Sequence, residues 1–543
     1  MAVAPLVWLA ILALAVPSIP LQSMPGERVR RGIGDWLLAA VASAPAFVYL
    51  ALTWSQEFPY GGDQTYHNGA ALEAYAFWWW LPWLGAIAAL VIVVRWPQLA
   101  LPGLILLALV SIAAGSALSF AGRYPGTLHF VAVPLRVLPF RSPLNVERLL
   151  NVLSIPVWLL VLRPLIVRRA ADISALAISL FLFWQKDNVY YFTSGYLEPW
   201  AIVLLLTAGE HLVRFGPEMI WRPILLIGAA AMVKEHVILS LPVIALVYFP
   251  FRASRRERIH YVLTVAAAVV PFVLFFFVRG SFKTWRGAWP LVDAFSGEHL
   301  AAFAHRVQLE FGAAIPVVIF ASCALLVLGM RNRAFAALLV AALLDWLFFF
   351  TASVQQPWAG YPRTNLVPLA YAAIALGYVV ERSKMIGVIT LLALIAVLNG
   401  IVLLPFLRDA TRPDDARNFF EHSDAPIFYP IREGLRLLAP NEPVALLNNG
   451  KWTYFFFYPG PIQEQYPDLA ASHKILVKSF AGDQQRCRCT ADGANLALFI
   501  RVDNPTIESE AERCRQEMLA SCGRTQPIIH EGVPVGLLGW KRQ

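Results

Sequence analysis

Charge is scarce in this chain. Only 15% of its 543 residues are Asp, Glu, Lys or Arg and 58% are hydrophobic, whereas an average soluble domain is roughly a quarter charged. That composition excludes an ordinary soluble protein. The motifs that announce common chemistries are also missing: no Walker A loop, no Gly-x-Gly-x-x-Gly after a strand, and no His-Glu-x-x-His. No phosphate-cradling loop, dinucleotide fingerprint or zinc helix is therefore legible. The N-terminus has no basic cluster ahead of its first apolar run, so the charged n-region of a signal peptide is lacking. Segment 2–21 reads instead as a retained span with its N-terminus outside. Cysteine is nearly absent from the apolar part, where Cys323 is the only one and reads as a small apolar residue within a span.

What the chain does have is apolar runs near the roughly 20 residues needed to cross a bilayer. They cover 2–21, 36–53, 77–94, 98–120, 149–167, 173–185, 199–213, 223–233, 237–251, 260–278, 312–330, 334–352, 365–380 and 385–407. The expected architecture is an α-helical polytopic membrane protein of roughly 12–14 spans. Basic clusters at Arg28–Arg31, Arg163–Arg169, Arg252–Arg258, Arg331–Arg333 and Glu381–Lys384 fall on one side, which the positive-inside rule makes cytoplasmic. Arg123, Arg136, Arg141 and Arg148 are the exceptions. The net charge of +9 thus belongs to short connections between spans and does not point to nucleic acid. The pair 223–233 and 237–251 is too short for two crossings. Lys234-Glu235-His236 between them suggests a break within the membrane, of the kind found where protein or a cavity satisfies the exposed backbone.

Residues 1–407 form the expected membrane domain and 408–543 a small extracytoplasmic α/β domain. Within the tail, Ile427 to Leu438 has helical spacing, and short apolar runs at 443–447, 474–478, 495–501 and 533–540 read as strands. The tail also holds Cys487, Cys489, Cys514 and Cys522. An even count in an exported segment favours two disulfides over a zinc site, whose usual spacings this pattern matches poorly.

Asp63, in Phe58-Pro-Tyr-Gly-Gly-Asp-Gln-Thr-Tyr-His67, lies in a polar loop between two long apolar segments. A carboxylate there is either a solvated loop acid or a group with a function, and the two preceding glycines would let the backbone approach a ligand. Lys234, His236, Arg123 and Arg363 are the cations available at the outer membrane edge. Each has a plainer reading: Lys234 paired structurally with Glu235, and the two arginines as interfacial anchors. Glu198, just before Pro199, could serve only to favour a helix N-terminus by its charge. Lys186-Asp-Asn-Val-Tyr-Tyr191, placed in an outer loop 186–198, offers hydrogen-bonding and stacking partners suited to a sugar. Phe77-Trp-Trp-Trp80 reads as an interfacial belt. Trp285, Trp289 and Glu298 fall in a loop 279–311 that could hold a horizontal amphipathic helix.

Taken in order along the chain, several stretches resemble the integral-membrane glycosyltransferases of the GT-C superfamily, especially protein O-mannosyltransferases and bacterial aminoarabinose transferases. Gly61-Gly-Asp-Gln64 matches the first-loop acid, although relatives often carry a second acid where this chain has Gln64. Gly122-Arg-Tyr-Pro125, Ser194-Gly-Tyr196-Leu-Glu198-Pro199, Met232-Val-Lys-Glu-His236 with Leu241-Pro242, and Tyr361-Pro-Arg363 resemble later motifs. The resemblance covers most of residues 36–407 and implies transfer of a sugar from a polyprenyl-phosphate-linked donor, with inversion, at the outer face of a bacterial inner membrane. It implies Asp63 and Glu198 as catalytic acids, and Lys234, His236, Arg123, Arg363, Tyr361, Tyr196 and Lys186 as substrate-binding residues. The acceptor would be a glycan, lipid or protein hydroxyl. A divalent metal ion stays open as a cofactor, because some relatives use one and others do not. The alternatives are a transporter or flippase of an amphiphile and an O-antigen ligase or polymerase-like enzyme.

Overall fold

The computed structural model describes residues 32–54, 80, 143–167, 171–193, 198–217, 219–279, 294–355, 365–410, 437–438, 444–448, 475–479, 487–489, 495–499, 505–530 and 533–541. They fall into two compact units, a helical one that includes 147–410 and an α/β one that includes the residues beyond 411. The expected spans at 2–21, 77–94 and 98–120, and the expected helix from Ile427 apart from its last two residues, lie outside the described residues.

The helical unit runs α1 Ile33–Leu52, α2 Pro143–Val157, α3 Ile173–Leu182, α4 Lys186–Thr193, α5 Glu198–Phe215, α6 Trp221–Val233, α7 Ser240–Val247, α8 Arg255–Arg279, α9 Gly297–Phe311, α10 Ile315–Gly329, α11 Arg333–Gln355, α12 Leu366–Arg382 and α13 Met385–Asp409. Ile33–Leu52, Gly297–Gly329, Arg333–Thr351 and Met385–Arg408 are long and apolar enough to cross a membrane, and Ile173–Leu182, Trp221–Val233 and Glu235–Val247 are shorter apolar helices. The architecture is that of a polytopic helical membrane protein with a small strand region towards its C-terminus.

Local sequence explains the helix starts. Ser254-Arg-Arg-Glu257 makes a reciprocal capping box at α8: the Ser254 amide donates to Glu257 Oε2 at 2.8 Å and the Glu257 amide to Ser254 Oγ at 3.3 Å. Asp172 caps α3 by accepting from the Ala175 amide, and Ser296 caps α9 by accepting from the His299 amide. α9 ends at Gly312, whose φ of +48° suits a residue without Cβ.

Two helices form the interior. Every residue of α6 is buried, and α12 is buried almost throughout from Leu366 to Gly377. A helix apolar on all sides has to be enclosed by others, and small residues let those neighbours approach. A Cβ on Gly228 of α6 would stand 2.7 Å from the Ala268 Cβ of α8, and one on Gly209 of α5 would stand 2.3 Å from Ile374 Cδ1 of α12. α5 and α6 pack as an antiparallel hairpin, α6 lies against α8, and α12 is wedged among α3, α5, α10 and α11.

Three expectations need correction. Residues 186–193, expected as loop, are helix α4, because Asn188 Nδ2 donates to the Leu182 carbonyl at 2.8 Å and Lys186 Nζ to the Leu309 carbonyl at 2.6 Å, which satisfies the polar side chains the loop assignment rested on. The expected continuous span 149–167 changes character. After Val157 it becomes a π-turn at Trp158–Leu162 and a 3-10 turn at Arg163–Leu165, where Pro164 cannot donate to an α-helical ladder. Part of the expected loop 279–311 is helix, α9, whose polar composition hid it among connections.

In the α/β unit, strands β1 Val444–Asn448, β2 Ile475–Ser479, β3 Asn495–Phe499, β4 Arg524–His530 and β5 Val533–Trp540, with helix α14 Pro505–Ser521, form one sheet of order β2-β1-β3-β5-β4. β1 is parallel to β2 and β3, and β5 is antiparallel to β3 and β4. Disulfides join Cys487 to Cys514 and Cys489 to Cys522. All four half-cystines are buried with Leu496, Met518 and Leu537, so the bridges pin α14 to the core of the sheet. A Cβ on Gly539 of β5 would stand 2.6 Å from Cys522 Sγ, so only glycine leaves room for that bridge.

Candidate active site

The antiparallel hairpin of α5 and α6 brings the first residue of one helix beside the last of the other. Glu198 opens α5 and Lys234 ends α6, and both side chains are buried with Lys234 Nζ 2.9 Å from Glu198 Oε1. Each charge suits its helix end: a carboxylate at an N-terminus and an ammonium at a C-terminus oppose the local partial charges. Lys234 has extended backbone, φ −140° and ψ 113°, and a 3-10 turn at Glu235–Leu239 separates α6 from α7. The partner of Lys234 is thus Glu198, across the hairpin, and not the neighbouring Glu235 that the plainer sequence reading gave it. A buried ion pair costs several kcal/mol of desolvation and is weak evidence for stability. Within a membrane bundle, ionisable residues mark functional sites by default.

Two residues on, His236 is 2% exposed and its Nδ1 lies 2.8 Å from Asp345 Oδ1 of α11. The ring meets Phe349 edge-on at 4.6 Å between centroids. His236 Nε2, Asp345 Oδ2 and Ser240 Oγ are buried without a hydrogen-bond partner among the described residues, and Tyr371 of α12 is within electrostatic reach of Ser240 and Asp345. α11 runs along both α7 and the 3-10 turn, which makes it a wall of this junction.

Asp63, Arg123, Tyr196, Tyr361 and Arg363 lie outside the described residues. Of the remaining candidates the structure brings Glu198, Lys234 and His236 into one buried region. Lys186 stands apart on α4, tying that helix to α9 through the Leu309 carbonyl. Next to it, burial pushes the Asp187 carboxyl up to about 7 against the opposing pull of Lys186. Glu310 of α9 accepts from Asn365 Nδ2 at 2.9 and 3.1 Å. Among the described residues no group of three or more His, Cys, Asp or Glu could hold a metal ion.

With the junction in view, one likeness among solved structures is notable. The chain is similar to ArnT. The crystal structure of ArnT from Cupriavidus metallidurans bound to undecaprenyl phosphate matches over 93% of this chain and 98% of that one, at 14% identity and a TM-score of 0.48. No family model and no curated protein matches the sequence.

Two residues of interest escaped sequence reasoning. Asp345 sits in an apolar run, and its acidity there is the signal that could have found it. Arg148 was noticed only as an exception to the charge rule. It is fully buried, and its Nε donates to the Thr193 carbonyl at 2.5 Å, holding the end of α4 five residues before Glu198.

The opposite end of α5 is polar too. Arg163 Nε donates to both oxygens of Glu210 at 3.0 and 3.2 Å, and its Nη2 to both oxygens of Asp172 at 2.9 and 2.8 Å and to Ser174 Oγ at 2.8 Å. A cavity of about 250 Å³ opens there, lined among others by Ser174, Glu210, Arg214, Tyr378, Glu381 and Arg382. Arg214 bonds Glu381 across it, and the Arg382 guanidinium lies 3.5 Å over the Tyr378 ring. Beside Glu210, both ring nitrogens of His211 are buried without a partner among the described residues.

Proposed function

We propose that this chain is a membrane glycosyltransferase that moves a sugar from a polyprenyl-phosphate-linked donor to an acceptor hydroxyl at the extracytoplasmic face. The supporting observation is the buried Lys234–Glu198 pair at an interrupted helix junction within a polytopic bundle. Transfer breaks the bond between the anomeric carbon and the phosphate oxygen and forms one to the acceptor oxygen, with inversion. Asp63 takes the acceptor proton, and polyprenyl phosphate leaves carrying negative charge that nearby cations stabilise. Lys234 is the cation for that task, with Arg123 and Arg363 contributing from their loops. Lys is a compact point charge on a flexible stem, so it can exchange a carboxylate oxygen for a phosphate oxygen without rebuilding the helix. Glu198 neutralises Lys234 while the site is empty and orients it when the donor binds.

The test is incubation of the purified protein with radiolabelled polyprenyl-phosphate sugars and extraction of the glycosylated acceptor. Wild type transfers label, and Asp63→Asn expresses normally, binds the lipid and transfers none. Full transfer by Asp63→Asn removes the base assignment. Failure of the wild type to bind or turn over any polyprenyl-phosphate sugar removes the reading itself.

A further inference from the structure

We infer that Asp345 is a positioning residue for the site: it fixes the His236 ring as an imidazolium and so turns Nε2–H into a second cationic donor, beside Lys234, for the donor's phosphate. The inference rests on the glycosyltransferase reading and adds a residue and a wall, α11, to it. An ionised carboxylate can only accept, so at 2.8 Å His236 Nδ1 donates to Asp345 Oδ1. Asp345 is 0% and His236 2% exposed. A neutral imidazole would leave a net negative charge sealed in apolar surroundings, at a cost of several kcal/mol, whereas an imidazolium makes the pair neutral. In that state Nε2 carries a hydrogen, and it is buried with no partner among the described residues. A buried donor left unsatisfied costs about 1–3 kcal/mol, and an anionic oxygen is the acceptor that suits a charged donor best. Lys234, two residues away on the same interrupted segment, gives this acceptor a second contact. The edge of the Phe349 ring against the imidazole blocks rotation about the ring's own axis.

The other ionisable groups at this junction, among the described residues, are Lys234 and Glu235 beside His236 in the chain, Glu198 across from Lys234, and Tyr371 on α12. Lys234 and Glu198 neutralise each other, so the protonation of His236 is governed chiefly by Asp345 and by Glu235. His236 should therefore lose its proton as pH rises, and phosphate binding should weaken with it.

The experiment has two arms. In the first, full-length protein in lipid nanodiscs is labelled with 15N-histidine, and the His236 signals are assigned by their loss in His236→Gln. Wild type shows both ring nitrogens protonated at pH 6, and Asp345→Asn shows a neutral ring at the same pH. In the second arm, calorimetry follows binding of a short-chain polyprenyl phosphate between pH 5.5 and 8.5. Wild-type affinity falls with rising pH. Asp345→Asn and His236→Gln bind about 10- to 100-fold more weakly, as loss of a charge-assisted bond predicts, and their pH dependence is lost. Asp345→Glu, which keeps the charge, restores part of the affinity. The double variant His236→Gln/Asp345→Asn, with two amides in place of the buried charges, keeps the fold and still binds as weakly as the singles. A neutral His236 ring in wild type at pH 6 overturns the inference. So does normal affinity with an unchanged pH profile in Asp345→Asn, including the case in which a buried water alone satisfies Nε2. Absence of any wild-type binding overturns both the phosphate contact and the glycosyltransferase reading, and the first arm still decides whether Asp345 fixes the ring.

Discussion

Helix α5 carries a buried glutamate near each end, Glu198 and Glu210, about 18 Å apart at 1.5 Å per residue. Glu210 meets Arg163, a planar fork that grips two carboxylates and a hydroxyl at once. Glu198 meets Lys234, a point charge at a place where the helix stops and the backbone turns extended. A guanidinium in a bidentate cradle is fixed by its own geometry, whereas an ammonium has three rotatable donors and can change partners. The Arg163 end is built as a brace, and the Lys234 end as a contact that a ligand can take over. Neither sequence position alone distinguishes them, since each is a buried acid facing a base.

The comparison can be broken by substitution. Arg163→Met leaves Glu210 and Asp172 buried without their cation, and we expect a loss of about 3–5 kcal/mol. It should appear as failure to yield monodisperse protein in detergent, and well-folded Arg163→Met would show that the brace holds nothing. Replacing both members of the other pair separates its two roles. Lys234→Met alone destabilises, the double variant Lys234→Met/Glu198→Leu recovers most of the melting temperature, as removal of a whole buried pair can, and polyprenyl-phosphate binding stays lost. Recovery of binding in that double variant would make the pair a brace like the other.

Smaller effects sharpen the contrast between the bundle and the tail. Reducing or substituting the Cys489–Cys522 bridge, which closes a separation of 33 residues, should cost about 2–4 kcal/mol and open the α/β unit to proteolysis while the helical unit keeps its melting profile. The smallest effect concerns α4, the helix that leads towards Glu198. Asp187 is raised to about 7 by burial, so its contribution to stability is complete below about pH 4 and fades as pH rises through 7. The melting temperature between pH 5 and 8 should fall by a few degrees, and Asp187→Asn should flatten that slope. A slope unchanged in Asp187→Asn would assign it to another group.

Much of this was readable from the residues. The apolar runs at 173–185, 199–213, 223–233, 312–330, 334–352, 365–380 and 385–407 all contain helices, because twenty apolar residues have few other fates. The break at Lys234 was legible because three polar residues interrupt two runs too short to cross alone. The four apolar runs of the tail contain strands at 444–448, 475–479, 495–499 and 533–540. The strand at 524–530 and helix α14 were not seen. Arg524 to His530 mixes charge and Pro527 into a strand beside β5, and α14 shows few apolar residues because half-cystines supply its buried face. Ion-pair partners were the least legible feature. Lys234 pairs over 36 positions and His236 over 109, and nothing local in the sequence encodes such distances. Adjacency suggested Glu235 for Lys234, and the hairpin of α5 and α6 decided for Glu198.

The π-turn at Trp158–Leu162 has a consequence for how this bundle tolerates change. A π-turn holds one more residue than the α-helical turn it replaces, so the chain here is carrying a spare position. Deleting a single residue from Trp158–Leu162 would let the segment relax into a regular α-helix, and everything after it would rotate by about 100°. Arg163 would then swing away from Glu210 and Asp172, although no charged residue had been altered. Length, as much as chemistry, sets whether this end of the bundle stays closed, and a one-residue deletion there should be as damaging as removing the arginine itself.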